Sequence, residues 1–351
     1  MQLDTPIDTD TRTTQTPNAR GFYFPAEWTP HAATLMGWPF DDDYWEGYLE
    51  LARADFERLV ATIARFEPVK LAVTNAEAKA DAEARFAGHN VEIYELELDD
   101  IWLRDIAPLF ITDDAGKLAA TDWRFNGWGG KYPWQKDTQV PQKLAKKWNL
   151  KRFEIPIVME GGALDINAEG ECLTTKQCLL NPNRNPGLSQ RELEAYLQDY
   201  LGVTRVIWLN EGLEGDKTDG HIDTITRWVN DKTILTSVCE DEADSNYAPM
   251  QENLEMLRNL GGYEVLELPL PQKRIDLSDE RLPLTYANFY IGNGFVVVPI
   301  YDDANDERAL NLIRTCFPER EVIGLPSSGL ITGGGSFHCV TQQLSQGGKR
   351  G

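Results

Sequence analysis

The chain has 351 residues, of which 42% are apolar, and a formal net charge of −22. That length can bury a large core, and no run approaches the ~20 apolar residues a membrane span needs. The acidic balance argues against nucleic-acid and anionic-membrane partners, which call for a basic patch. It suits a small cationic ligand drawn into an acidic cleft, although acidic surfaces also serve solubility alone.

Residues 1–20 are polar and rich in Thr and Asp, without the apolar stretch of a secretory signal. A disordered leader is expected there, followed by one domain over residues 21–347. The five cysteines are an odd count with no CxxC pair. Reduced thiols and a cytoplasmic location are therefore expected, rather than disulfides or structural zinc.

From residue 33 onward an apolar strand, a polar loop, an amphipathic helix and a second strand recur. The first copy joins Ala33-Thr34-Leu35-Met36, the loop Asp41-Asp42-Asp43, a helix from Tyr48 to Phe66, and Val69-Lys70-Leu71-Ala72-Val73. A looser copy runs from Leu109-Phe110-Ile111 through Gly127-Trp128-Gly129-Gly130 and Gln142–Trp148 to Phe153-Glu154-Ile155. The next pairs Cys172-Leu173-Thr174-Thr175 with Val206-Ile207-Trp208-Leu209. Its helix is expected to start at Ser189, because Ser189-Gln190-Arg191-Glu192 has the form of a capping box. Two more copies pair Thr233–Thr236 with Val265–Leu268 and Phe295–Val298 with Val322–Leu325. Units of ~60–70 residues exceed the solenoid range and suit a closed ring of α/β units, the reading we favour over alternation in an open sheet.

The polar motifs fall between these units, where a ring would bring them to one pocket. Cys339 follows Gly333-Gly334-Gly335, a stretch in which side chains cannot block a ligand, and is the candidate nucleophile. Its thiol, ordinarily titrating at ~8.5, needs support from His221 or a bound cation. His221 is the candidate general acid and base, and Asp223 would share its face if Gly220-His221-Ile222-Asp223 were a strand. His338 would point the opposite way in a strand and is read as structural. Asp105 and Asp223 are candidate clamps for a planar cation such as a guanidinium, whose N–H groups match carboxylates two at a time. Trp102 would wall the site against water. The other reading of Arg104-Asp105 is a structural ion pair. Glu160, before Gly161-Gly162, is either a third acid of the site or a turn carboxylate. With no HExxH and one convincing histidine, no metal is expected.

These residues carry a family resemblance. Phe24-Pro25-Ala26-Glu27-Trp28-Thr29-Pro30-His31, Met36-Gly37-Trp38-Pro39, Trp102-Leu103-Arg104-Asp105 and Asn126-Gly127-Trp128-Gly129-Gly130-Lys131-Tyr132 belong to it. So do Glu160-Gly161-Gly162, Leu179–Pro186, Thr218-Asp219-Gly220-His221-Ile222-Asp223 and the Cys339 segment ending Thr341-Gln342-Gln343. Together they resemble the agmatine deiminases, in the peptidylarginine-deiminase-like group of the pentein superfamily. The resemblance implies a five-bladed, pseudosymmetric α/β-propeller and hydrolysis of agmatine to N-carbamoylputrescine and ammonia, without a cofactor. It implies attack by Cys339, positioning by Asp105 and Asp223, and proton transfer by His221.

One departure stands out. The family usually carries an acid just before Thr-Asp/Asn-Gly-His, facing the distal amine of agmatine, and this chain has Lys217. A lysine there would repel an ammonium by ~1 kcal/mol or more. It could instead welcome a carboxylate, as in arginine, or leave the acid's role to Asp216. Action on peptidyl-arginine, amidinotransfer and a non-catalytic binding ring are the remaining readings. A homo-oligomer is compatible with all of them.

Overall fold

The computed structural model describes residues 15–41 and 45–347. Strand β1 (His31–Gly37) leads through α1 (Leu49–Ile63) to β2 (Val69–Val73), and α2 (Ala76–Arg85) carries the chain to β3 (Val91–Glu95). Four units then share one plan: a short strand, an antiparallel partner, a helix, and a strand parallel to that partner. The first is β4 (Leu109–Thr112), β5 (Leu118–Arg124), α3 (Val140–Lys147) and β6 (Lys151–Val158). The second is β7 (Asp165–Ile166), β8 (Glu171–Thr175), α4 (Gln190–Leu201) and β9 (Arg205–Leu209). The third is β10 (Thr226–Asn230), β11 (Thr233–Val238), α5 (Tyr247–Leu260) and β12 (Glu264–Pro269). A hairpin of β13 (Asp276–Leu277) and β14 (Glu280–Arg281) precedes the last unit. That unit is β15 (Tyr290–Gly292), β16 (Phe295–Ile300), α6 (Asp306–Cys316) and β17 (Glu321–Pro326).

The final strand, β18 (Gln342–Ser345), pairs antiparallel with β1, which is itself parallel to β2. The C-terminal strand thus fills in the first sheet the place that a hairpin partner fills in the other four. The helices follow from spacing: in α1, Phe56, Leu59, Val60 and Ile63 fall on one face and are fully buried. Strands such as β16, Phe-Val-Val-Val-Pro-Ile, read as continuous apolar runs because both faces are covered. Helix α4 begins with the expected capping box, Ser189 and Glu192 bonding each other's backbone N–H.

Two expectations need correction. The looser copy took Leu109–Ile111 as its central strand, but that segment is the hairpin strand β4. The central strand is β5, whose alternating Ala-Thr-Asp composition hid it. The expected leader also ends early: Asn18–Arg20 form a 3-10 turn and Thr16 is buried. Residues 1–14, with Asp42 and Asp43 of the first expected loop, lie outside the described residues. Among the described residues no helix is long and apolar enough to cross a membrane.

The connections between sheets matter most for function. Trp102–Asp105 link β3 to β4, Glu160–Ala163 link β6 to β7, and Asp216–Thr224 link β9 to β10. Asn288 lies between β14 and β15, and Gly333–Cys339 between β17 and β18.

Candidate active site

Asp105 sits on a single helical turn, Leu103–Ile106, and is buried. Its Oδ1 accepts the Gly162 N–H at 2.8 Å and its Oδ2 accepts the Trp128 Nε1–H at 2.8 Å. Trp128 delivers that donor from a left-handed loop, with φ of 53° between the positive-φ glycines Gly127 and Gly129. This conformation costs a non-glycine residue roughly 1–2 kcal/mol, so the aim of the indole offsets local strain. Burial, reinforced by the charge of Asp223, pushes the Asp105 pKa well above the usual carboxylate range.

His221 and Asp223 are not on a strand. Ile222–Thr224 form a 3-10 turn, and left-handed Asp219 and Gly220 precede His221. Asp216 shapes that turn. Its carboxylate accepts the Thr218 N–H and Oγ–H at 2.8 and 2.5 Å and the His221 N–H at 3.1 Å. Its carboxylate is thus committed to holding the turn. His221 Nδ1 lies 3.8 Å from Asp105 Oδ1, and neither ring nitrogen has a hydrogen-bond partner. A Cβ on Gly162 would stand 2.6 Å from that Nδ1, so glycine is required there. Burial lowers the His221 pKa to about 3, which makes the ring neutral at physiological pH.

Cys339 lies in a turn, not a strand, and this changes the role of its neighbour. His338 and Cys339 both face Asp223: His338 Nδ1 is 2.7 Å from Asp223 Oδ2, and Cys339 Sγ is 3.7 Å from the same oxygen. Burial alone would raise the Asp223 pKa, but the hydrogen bond and charge of His338 outweigh it and leave the group below its ordinary value. Its Oδ1 has no partner. Asn288 Nδ2 donates to Cys339 Sγ at 3.1 Å, while its Oδ1 accepts the His338 and Cys339 N–H groups at 3.1 and 3.3 Å. Burial and the charges of Asp223 and Asp105 push the Cys339 thiol well up. The glycines ahead of it are needed for space, since a Cβ on Gly335 would meet the Trp102 ring at 2.7 Å and Sγ at 3.2 Å.

Glu160 is at the site's inner wall. It is fully buried, its Oε1 accepts from Arg184 Nε at 2.6 Å, and its Oε2 has no partner. Burial raises its pKa despite Arg184. Glu160, Cys178 and His221 each bring one ligand-type atom within 4.8 Å of the others. The Arg184 guanidinium on the same carboxylate disfavours a metal cation there. Arg184 also binds Asp219 Oδ2 at 2.7 Å and the Thr218 carbonyl at 2.8 Å, tying the Glu160 segment to the His221 turn.

The pocket at Asp105 and Cys339 is lined also by Trp102, Trp128 and Lys217, and by Glu46, Asp100, Glu280 and Arg281. Lys217 Nζ is paired with Glu280 of β14, and Arg281 is paired with Asp244 and Glu214. Desolvation raises the Asp100 pKa to about 6.

The residues that sequence reasoning gave no role are Asn288, Trp128, Arg184 and Glu27. The last three stood inside recognised segments, whereas nothing in the sequence around Asn288 marks it.

Residues 23–345 match the family model described as Porphyromonas-type peptidyl-arginine deiminase. An agmatine deiminase of Ectopseudomonas mendocina is 38% identical over 362 residues, covering 95% of this chain and 98% of its own. The solved agmatine deiminase of Enterococcus faecalis superposes with a TM-score of 0.89 at 30% identity, over 94% of this chain and 97% of its own. An agmatine deiminase of C. jejuni with substrate bound gives a TM-score of 0.88 at 33% identity, over 93% and 97%. With matches of this length on both sides, the chain belongs to the Porphyromonas-type peptidyl-arginine deiminase family.

Proposed function

We propose that this chain is an agmatine deiminase, built as a ring of five α/β blades, that hydrolyses agmatine to N-carbamoylputrescine and ammonia through an amidino-cysteine. Five sheets of one plan, joined end to start by β18 on β1, support the ring. The observation that carries the chemistry is a buried cluster of unsatisfied groups around one thiol. Asp223, which lies beside Cys339, has an unpartnered Oδ1, and in the same buried cluster Glu160 Oε2 and both His221 nitrogens also lack partners. Unpaired buried polar groups are costly, and a planar cation with several N–H donors would satisfy the carboxylate oxygens and the one acceptor nitrogen of neutral His221.

In the reaction, the guanidinium lies between Asp105 and Asp223. Its positive charge beside Sγ offsets the carboxylates that hold the Cys339 thiol protonated. The thiol proton passes to neutral His221 as the C–S bond forms. His221 then gives that proton to the departing nitrogen, the C–N bond breaks, and ammonia leaves. Water next attacks the amidino carbon and loses a proton to His221. The C–S bond breaks, the proton on His221 returns to sulfur, and the second proton of the water passes to solvent, leaving the neutral ureido product. No step calls for a cofactor.

The far end of the pocket favours an ammonium over a carboxylate. Lys217 and Arg281 are both engaged by acids, which leaves Asp100 and Glu46 to set the local charge. Agmatine fits this balance better than arginine. The net charge of −22 argues against a nucleic-acid or anionic-membrane partner, and the five cysteines, all free, suit the reducing cytoplasm.

Ammonia release with agmatine and arginine side by side, with Cys339→Ser as control, tests the reading. Cys339-dependent turnover of agmatine in preference to arginine is expected. Turnover of arginine alone would make Lys217 a carboxylate selector and overturn the substrate assignment.

A further inference from the structure

The reaction above leaves unused a buried histidine that touches one of its carboxylates. His338 Nδ1 is 2.7 Å from Asp223 Oδ2, and its Nε2 is 2.7 Å from Glu27 Oε2. A neutral imidazole has one donor and one acceptor nitrogen, so it can bond only one of two ionised carboxylates. Bonding both requires the imidazolium. The charges around it call for the same state. Three buried carboxylates, Glu27, Asp165 and Asp223, share this region with two guanidiniums, Arg104 and Arg227. Arg227 donates to Glu27 Oε2 at 2.8 Å and to Asp165 Oδ2 at 3.0 Å. Arg104 Nη2 stands 3.8 Å from Glu27 Oε2, and its Nε donates to the His338 carbonyl at 3.3 Å. An imidazolium supplies the third cation and balances the set.

We propose that His338, held by Glu27, is a positioning residue for the deimination. As an imidazolium it fixes Asp223 Oδ2, so that Asp223 stays an anion and presents Oδ1 to the substrate. The proposal rests on the deiminase reading for its kinetic consequences, but the charge state of the ring does not. The turn adds a constraint: Asn288 Oδ1 grips the backbone N–H of both His338 and Cys339, so the Asp223 anchor and the nucleophile keep one spacing. Glu27 reaches this place from the other end of the chain, and its Oε1 is held by the Ile291 N–H at 2.7 Å. On its other side Asp223 faces His221, Cys339 and Asp105, with Asp216 of the same turn also coupled to it.

The test combines a spectrum with kinetics. In Cys339→Ser protein carrying ¹⁵N-histidine, with His338→Gln to assign the signal, both His338 ring nitrogens are expected to be protonated near neutral pH. Glu27→Gln removes one carboxylate, and the signal of the doubly protonated ring should then weaken near neutral pH. In otherwise native enzyme, Glu27→Gln and His338→Leu should each lower kcat/KM for agmatine by roughly 10–100-fold, the scale of a lost charge-assisted hydrogen bond. Losing the cation raises the Asp223 pKa, so the acid limb of the pH profile should move to higher pH. His338→Gln keeps an N–H donor towards Asp223 and should recover part of the loss. A neutral His338 ring in the native frame would overturn the proposal. So would variants whose only change is a lower Tm, with kcat/KM per folded enzyme and the acid limb unmoved. Should His338→Leu fail to fold, the nearly isosteric Glu27→Gln decides. A wild type silent on agmatine would overturn the deiminase reading, while the ring spectrum, which needs no turnover, still supports or overturns the His338 claim.

Discussion

Asp105 and Asp223 carry the same side chain to the two sides of Gly162 and end with opposite proton affinities. Asp105 is bonded by neutral donors, Trp128 and Gly162, and burial wins. Asp223 is bonded by His338 and falls below the usual range. The spacing between them depends on Gly162, whose Cβ position lies 2.6 Å from His221 Nδ1 and 2.9 Å from Asp105 Oδ1. Gly162→Ala should therefore cost about 10²-fold or more in kcat/KM while the protein still melts cooperatively, since small displacements at reacting groups cost that much. The buried imidazole of His221 has a stability signature. Its folded pKa, about 3, lies below the ~6.5 of an unfolded histidine, so the unfolded chain takes up the proton first as pH falls. Its contribution is intact above ~6.5 and declines towards pH 3. His221→Gln should gain on the wild type by roughly 2 kcal/mol between pH 8 and pH 5 in urea melts at each pH. A constant difference would show that the ring is not desolvated. Cys339, His221 and Asp223 stood out in the sequence because their residue types and glycine neighbours are chemically unusual. Glu27 did not, because its bond to His338 spans 311 residues. His338 was read as structural through a strand geometry that its turn does not have.

At the scale of elements, loops do the positioning. The turn from Asp216 to Thr224 is held by one internal carboxylate, and the Gly127–Gly130 loop by left-handed dihedrals. Both were legible as polar, glycine-bearing interruptions, but their hydrogen bonds were not. The helix start at Ser189 was legible because a capping box is local. The choice of β5 over β4 was not, because β5 carries Ala-Ala-Thr-Asp where the hairpin strand β4 beside it is the more apolar run. The β13–β14 hairpin has a role no local pattern announced. Its turn residues Ser278 and Asp279 both have positive φ, which suits a tight two-residue hairpin, and its Glu280 neutralises Lys217. Glu280→Gln should free that ammonium, raise KM for agmatine by roughly 5–10-fold, and narrow the preference over arginine, with kcat little changed. An unchanged KM ratio would show that Lys217 does not sense the distal end of the substrate.

For the whole molecule, the order of strands repeats from sheet to sheet, and the residues of the site come from every connection between sheets. The alternation of elements was legible because each unit carries its own apolar strands. The pairing of β18 with β1 was not, because it joins the two ends of the described chain. The net charge of −22 acts at this scale too. Raising NaCl from about 0.01 to 0.3 M should lower kcat/KM for dicationic agmatine several-fold and leave kcat nearly constant, since salt screens long-range attraction. No salt effect would confine the useful charge to the pocket. The mechanism behind the kinetic expectations is covalent catalysis at Cys339. The direct measurement is the intact and peptide mass of enzyme acid-quenched while turning over agmatine. The account predicts an amidino adduct on the Cys339 peptide alone, equal to agmatine less ammonia, that disappears as substrate is exhausted. Turnover with no adduct, or an adduct on Cys178 or another thiol, would contradict it.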